Sequence, residues 1–220
     1  MTQKSTWSAA RATATLFGVL AGLGGLTHGI GEVLQGNVRP KGILIESWTQ
    51  GPIATNMGGE PGMTIVPNLR VTGVLTILAS LAVIATALLV RDKKGGRRMI
   101  LFSILMLLVG GGFGPPILGI LAGVAGTGVG APSAWWRTRP RAGTRRFLGM
   151  LWPWVFGISA ANGLFLVVGS VILVYFFGVN NADLFTNSFY LSIGSLVLTI
   201  LTGRAHDAQE PDKARLDLTL

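Results

Sequence analysis

Two ionisable side chains, His28 and Glu32, stand four residues apart in an otherwise apolar stretch, so on a helix they share one face. Imidazole titrates near neutrality and a carboxyl group can exchange a proton with it, which gives the pair the chemistry of a cation site or a proton relay. Ionisable groups inside a membrane span are expensive and by default mark function. The chemistry-free alternative is a hydrogen bond that pins one helix to its neighbour.

A second feature is the stretch 108–116, LVGGGFGPP, where Gly110, Gly111, Gly112 and Gly114 and two prolines interrupt an apolar run. Broken backbone at membrane depth is tolerated only when buried in protein or lining a cavity, and such breaks form ion and substrate sites in carriers and channels. Asn162, the one strongly polar residue of its apolar stretch, completes the candidate ion- or substrate-binding set. Glu60, Asn68 and Arg70 fall in a loop at the expected outer mouth, where they could steer a ligand or merely edge a solvated loop. No catalytic residue, metal or cofactor is expected. The chain has no cysteine and 2 histidines, which removes thiolate metal sites and thiol redox chemistry, and it carries no P-loop, HExxH or GxSxG motif.

The elements that must position these residues follow from hydropathy. Half of the 220 residues are apolar and 12% are charged, and the mean hydropathy is +0.57, too greasy for a soluble globule. The apolar residues come in continuous runs near twenty long, which predicts helices and not a barrel. The expected fold is an all-α polytopic membrane helix bundle. It has four full spans, at about 12–34, 71–90, 155–178 and 184–203, and a central hairpin, 99–112 and 117–134, re-entrant or made of short helices. That makes about six membrane segments in a single domain.

Around these lie an outer loop, 35–70, and a charged tail, 204–220, expected to be disordered. Within the loop, 43–48 could lie flat at the interface as a short amphipathic segment. An inert connector is the simpler reading of the loop and a lid the alternative. Trp7 is an expected interface anchor, and Trp152-Pro153-Trp154 an interfacial lead-in to the third span.

Glycines set the packing. Gly18, Gly22, Gly25, Gly29, Glu32 and Gly36 recur at alternating intervals of four and three, and Gly119, Gly123, Gly126 and Gly130 repeat the spacing. The two stripes predict that the second hairpin arm lies against the first span, a homodimer seam being the alternative.

The formal net charge of +9 would suggest nucleic acid in a soluble protein, but the cations cluster beside the spans. A reversal at the glycine–proline break puts both basic clusters, 91–98 and 137–146, on one side. Fifteen of the 18 Lys and Arg then face one side, which predicts both termini in the cytoplasm and residence in the cytoplasmic (plasma) membrane. Expected partners are the lipid bilayer, including anionic headgroups at the arginine-rich loop, and a homo-oligomer or larger membrane complex; no nucleic acid is expected.

Three functions fit. One is a channel or carrier for an ion or small solute, its outward-facing cavity formed by the first span and the hairpin. The second is a non-catalytic accessory or lipid-binding subunit of a larger membrane complex. The third, an intramembrane enzyme using His28 and Glu32 as acid and base, lacks a nucleophile, a metal set and a second carboxylate in the spans.

Overall fold

Helix α1 (Ala9–Gln35) runs through the centre of a helical bundle, and every other long helix packs around it. The computed structural model describes residues 8–57, 60–130 and 134–209. The expectations for Trp7 and for residues 210–220 fall outside these.

After α1 come a β-hairpin of β1 (Leu44–Glu46) and β2 (Pro61–Met63), with the short α2 (Gly51–Met57) between its strands. Then follow α3 (Leu69–Leu88), α4 (Lys93–Leu108), α5 (Gly114–Gly126), the one-turn α6 (Ala134–Thr138) and α7 (Ala142–Leu164). A π-helical turn (Phe165–Gly169) joins α7 to α8 (Ser170–Phe177), and α9 (Ala182–Asp207) is the last described element. Four helices are long and apolar enough to cross a membrane: α1, α3, the continuous Ala142–Phe177 and α9. The protein is a helical membrane bundle.

Several expected boundaries move, each for a local reason. Helix α4 starts at Lys93 and not at 99, because the Asp92 carboxylate accepts from Gly95 N–H at 2.9 Å and caps a turn made of the basic residues themselves. Helix α5 stops at Gly126, well short of 134; the chain turns at 127–130, where Gly130 takes φ +83°. The Trp152-Pro153-Trp154 segment is no separate lead-in: Pro153 lies inside α7, which is continuous from Ala142.

Segment 43–48 does not form a lone amphipathic element. Leu44, Ile45 and Glu46 pair antiparallel with Met63, Gly62 and Pro61. Nor does the charged tail begin at 204. Helix α9 continues to Asp207, whose buried carboxylate accepts from Ala9 N–H at 2.7 Å and Ala10 N–H at 3.0 Å. The last turn of α9 thus caps the first turn of α1. Beside it, Arg204 donates to the Val124 carbonyl at 2.7 Å and to the Thr127 hydroxyl at 2.9 Å.

The glycine stripes find partners other than each other. On α1, Gly22 and Gly29 pack against the backbone of α3 at Ser80 and Gly73, while Gly18 and Gly25 meet Ala87, Met99 and Met106. On α5, Gly119, Gly123 and Gly126 face Ser103, Ile100 and Gly96 of α4. Helix α5 does lie against α1, through contacts such as Pro115 on Gly24, but the α1 stripe is spent mainly on α3. Gly36 ends α1 at φ +85° with open space around it and is not part of the seam.

These contacts bring one set of ends together. Gly96 at the start of α4 touches Gly126 at the end of α5, Gly126 faces Ala14 near the start of α1, and Gln209 reaches the Arg145 carbonyl at 2.8 Å. At the other end of the bundle, α4 and α5 reverse over 109–113, and the β-hairpin sits on that reversal.

The backbone contact of α1 and α3 at Gly29 and Gly73 gives a direct test. A Cβ at Gly73 would overlap the Gly29 carbonyl oxygen and crowd Val33, and backbone cannot move aside as a side chain can. Gly73→Ala should lower stability by about 1–3 kcal/mol, as overpacking does. Gly194→Ala, which meets nothing within 4 Å, should be neutral or slightly stabilising. Thermal unfolding midpoints of the two variants in one detergent separate these outcomes.

Candidate functional site

Glu32 is fully buried, with 0% of its surface exposed, and His28 is 6% exposed. They lie on one face of α1 near its C-terminal end, and the space above them is filled by the 109–113 turn and the β-hairpin. Gly110 takes φ +113°, and a Cβ there would lie 2.5 Å from both Glu32 carboxyl oxygens. Gly112 takes φ +71°, and a Cβ there would overlap the His28 ring. Left-handed backbone and direct contact with the two side chains both call for glycine at these positions.

Gly111 packs on Met106, and Gly110, Gly111 and Gly112 are all buried, so this part of the break is covered by protein. Several of the turn's polar groups are paired. Gly111 N–H donates to the Met106 carbonyl and Gly112 N–H to that of Gly110, both at 2.8 Å. The Leu108 carbonyl accepts from Ile65 N–H at 3.1 Å.

The β-hairpin supplies the partners that α1 lacks. Ser47 N–H donates to the Glu60 carbonyl at 3.0 Å, which holds Ser47 and Glu60 side by side just beyond the paired strands. The Ser47 hydroxyl lies 3.0 Å from Glu32 Oε1 and 2.9 Å from His28 Nδ1. When its one proton goes to the carboxyl oxygen, it accepts from His28, and the ring is then the Nδ1–H form. His28 Nε2 then faces Glu60 Oε2 at 3.4 Å. A neutral ring meets a protonated Glu60 there and an imidazolium meets its carboxylate, so in both forms the pair holds one proton between its two facing atoms.

On the far side, the Thr76 hydroxyl lies 2.6 Å from the Val109 carbonyl and 3.2 Å from Glu32 Oε2. The result is a continuous chain of Glu60, His28, Ser47, Glu32 and Thr76, ending on the backbone of the glycine turn.

Glu60 lies outside the long helices. Burial pushes its carboxyl up from 4.5 to about 7, with the neighbouring Trp48 indole N–H offsetting part of the rise.

A cavity of about 420 Å³ borders this chain at His28 and Glu60. It runs from Leu20 to His28 along α1 and is walled by the start of α5, the π-helical turn, α8 and the first turns of α9. Of the turn glycines it takes in Gly114; it does not reach Glu32.

The other sequence candidates lie elsewhere. Asn162 donates to the Ser188 carbonyl at 2.8 Å and ties α7 to α9, and Asn187 is exposed on α9. Asn68 caps α3 through Val71 N–H at 3.1 Å and bonds the Asn37 side chain. Arg70 is exposed on the first turn of α3. Only Glu60, of the three outer-mouth residues, joins the pair.

Sequence reasoning missed Ser47 and Thr76. Thr76 had a signal, since Thr72, Thr76 and Ser80 recur every four residues and all three are fully buried. Ser47 had none, because its place depends on a strand pairing across the long loop.

No family model matches the sequence, and no curated protein or solved structure matches it. The site therefore stands on its own geometry. Among the described residues no group of three or more His, Cys, Asp or Glu could hold a metal ion.

The raised Glu60 carboxyl gives a pH dependence with a definite sign. Between pH 4.5 and about 7 the folded chain keeps a proton that the unfolded chain has released, so stability falls as pH rises through that window. Glu60→Gln should flatten this slope. Unfolding midpoints measured from pH 4 to 8 for both chains should diverge in that window; parallel curves would refute the assignment.

Proposed function

We propose that this is a small multi-pass membrane carrier whose cavity, between α1, α5 and α8–α9, binds a small organic solute from the outer side. The observation that carries the reading is the junction of that cavity with the His28–Glu60 pair, which can take up or give off a proton at the cavity wall. Its volume lies in the roughly 300–1,000 Å³ range of small-molecule sites, and its lining is mostly apolar with a few convergent polar groups. A π-helical turn also lines it, a feature that recurs at functional sites. A carrier fits better than an ion channel: Glu32 and the turn above it are sealed by protein, and an apolar wall gives a hydrated ion no substitute for its water.

In this reading α4 and α5 form a re-entrant hairpin that enters from the cytoplasm, and both termini and both basic clusters lie on that side, in the plasma membrane. The support is the gathering of 91–98, 145 and 204–209 at one end of the bundle, together with the positive-inside rule. Cysteines introduced singly at Lys94 and Arg141 should both react with an impermeant thiol reagent only from the cytoplasmic side. Labelling from opposite sides would overturn the hairpin.

One observation favours the second reading, an accessory or lipid-binding subunit. Only 17% of the apolar window of Ala142–Phe177 is buried, leaving Trp154, Phe176 and Phe177 to face lipid, a second copy or a larger complex. The arginines of 137–146 would then meet anionic headgroups.

Flux decides between the readings. Liposomes containing the purified chain and a trapped pH dye should show protein-dependent movement of at least one of three probes: an aromatic amine, an aromatic acid or an aromatic alcohol. Val171→Trp, which fills the cavity, should slow it at least tenfold. No protein-dependent flux of any of the three would reject the carrier and leave the accessory reading.

A further inference from the structure

The cavity wall divides by chemistry. At its polar end Glu60 Oε2 is buried and accepts no hydrogen bond, with His28 Nε2 3.4 Å away. Elsewhere the wall includes three phenylalanines, Phe113, Phe185 and Phe189, among aliphatic side chains. No Lys or Arg lines it among the described residues. The adjacent start of α5 would ordinarily attract an anion, but Pro115 and Pro116 have no N–H, so two of its donors are missing. A buried carboxyl oxygen with no hydrogen-bond partner, aromatic faces and no lining Lys or Arg make a site complementary to positive charge on an apolar body.

We propose that the cavity binds a monovalent organic cation, an amine or quaternary ammonium with an aromatic or aliphatic body, its charged nitrogen placed between Glu60 and the phenylalanines, in exchange for the proton shared by Glu60 and His28. The proposal rests on the carrier reading of this cavity and names its substrate class. The exchange balances without any covalent change in the ligand. One O–H or N–H bond within the Glu60–His28 pair breaks, the proton passes to water, and the positive charge of the ligand takes its place.

The groups facing Glu60 are His28 from α1 and, behind Ser47, Glu32 from the same helix. Neither supplies a permanent positive charge, so the carboxylate is left to the ligand. An inorganic cation is disfavoured, because one carboxylate among aromatic and aliphatic groups cannot replace a hydration shell of six or more oxygens.

The test uses the full chain in detergent and benzyltrimethylammonium as probe, with neopentylbenzene as its neutral isostere. Binding of the cation should release close to one proton, read in weakly buffered solution. Its apparent affinity should weaken about tenfold from pH 8 to pH 6, as competition with a proton held to about pH 7 requires. Glu60→Gln should weaken it at least tenfold and abolish the proton release, while Val171→Trp should weaken cation and neutral probe alike.

Equal binding of the two probes, without proton release or pH dependence, would overturn the cation assignment and leave the carrier intact. Binding of the cation that Val171→Trp leaves unchanged would place the site elsewhere and reject both. The proton release is read on the unaltered chain, so the test stands even if Glu60→Gln folds poorly.

Discussion

A carboxyl group with no exposure to water sets the terms for the half of this molecule that carries the β-hairpin. Glu32 lies inside the bundle, and a polar group in such a place costs several kcal/mol unless hydrogen bonds replace those of water. Helix α1 cannot supply them, since its own backbone groups are paired within the helix. The partners come from far along the chain: Ser47 from the loop after α1 and Thr76 from α3. Each demand fixes a larger element. Ser47 reaches Glu32 only if the loop folds back as a β-hairpin, and Thr76 reaches it only if α3 lies close enough for Gly29 and Gly73 to touch. The turn that covers the carboxyl must be glycine, because a side chain at Gly110 would occupy the oxygens' own space.

That chain of requirements explains which parts were legible in the sequence. The spans were, because a continuous apolar run in lipid has almost no alternative to a helix. The meeting of the glycine break with α1 was legible in part: the break was expected to form a cavity with the first span, and Gly112 lies against the His28 ring, covered by protein. Ser47 and the true importance of Glu60 were not legible, because they reach the site through three residue pairs across a loop whose segments show no strand period long enough to read. The Asp207 cap was hidden for a related reason. A charged segment at the end of a chain has the composition of a solvated tail, and only the unpaired N–H groups of Ala9 and Ala10, distant in sequence, make it a helix end.

The glycine stripes teach a narrower lesson. Equal spacing on two helices shows that each has a face for close approach, not that the faces meet. Gly29 and Gly73 form a close backbone contact of α1 and α3, yet Gly73 stands on a helix with no glycine stripe of its own. Small polar residues did as much as glycine there: Thr72, Thr76 and Ser80 allow the helices to close while supplying hydroxyls.

Packing is uneven, and the unevenness has a direction. Where α1 meets α3, and α4 meets α5, backbone lies on backbone at Gly22, Gly29, Gly73, Gly96 and Gly123. In α7 and α9, Gly157 and Gly194 meet nothing within 4 Å. Between these halves, hydrogen bonds concentrate at the end that carries Asp207 and Arg204, where α9 holds the starts of α1 and the end of α5. At the opposite end the same helices part around the cavity, bordered by Phe185 and Phe189. The bonds between the halves thus lie at one end of the bundle, and the cavity, with Glu60 in its wall, at the other.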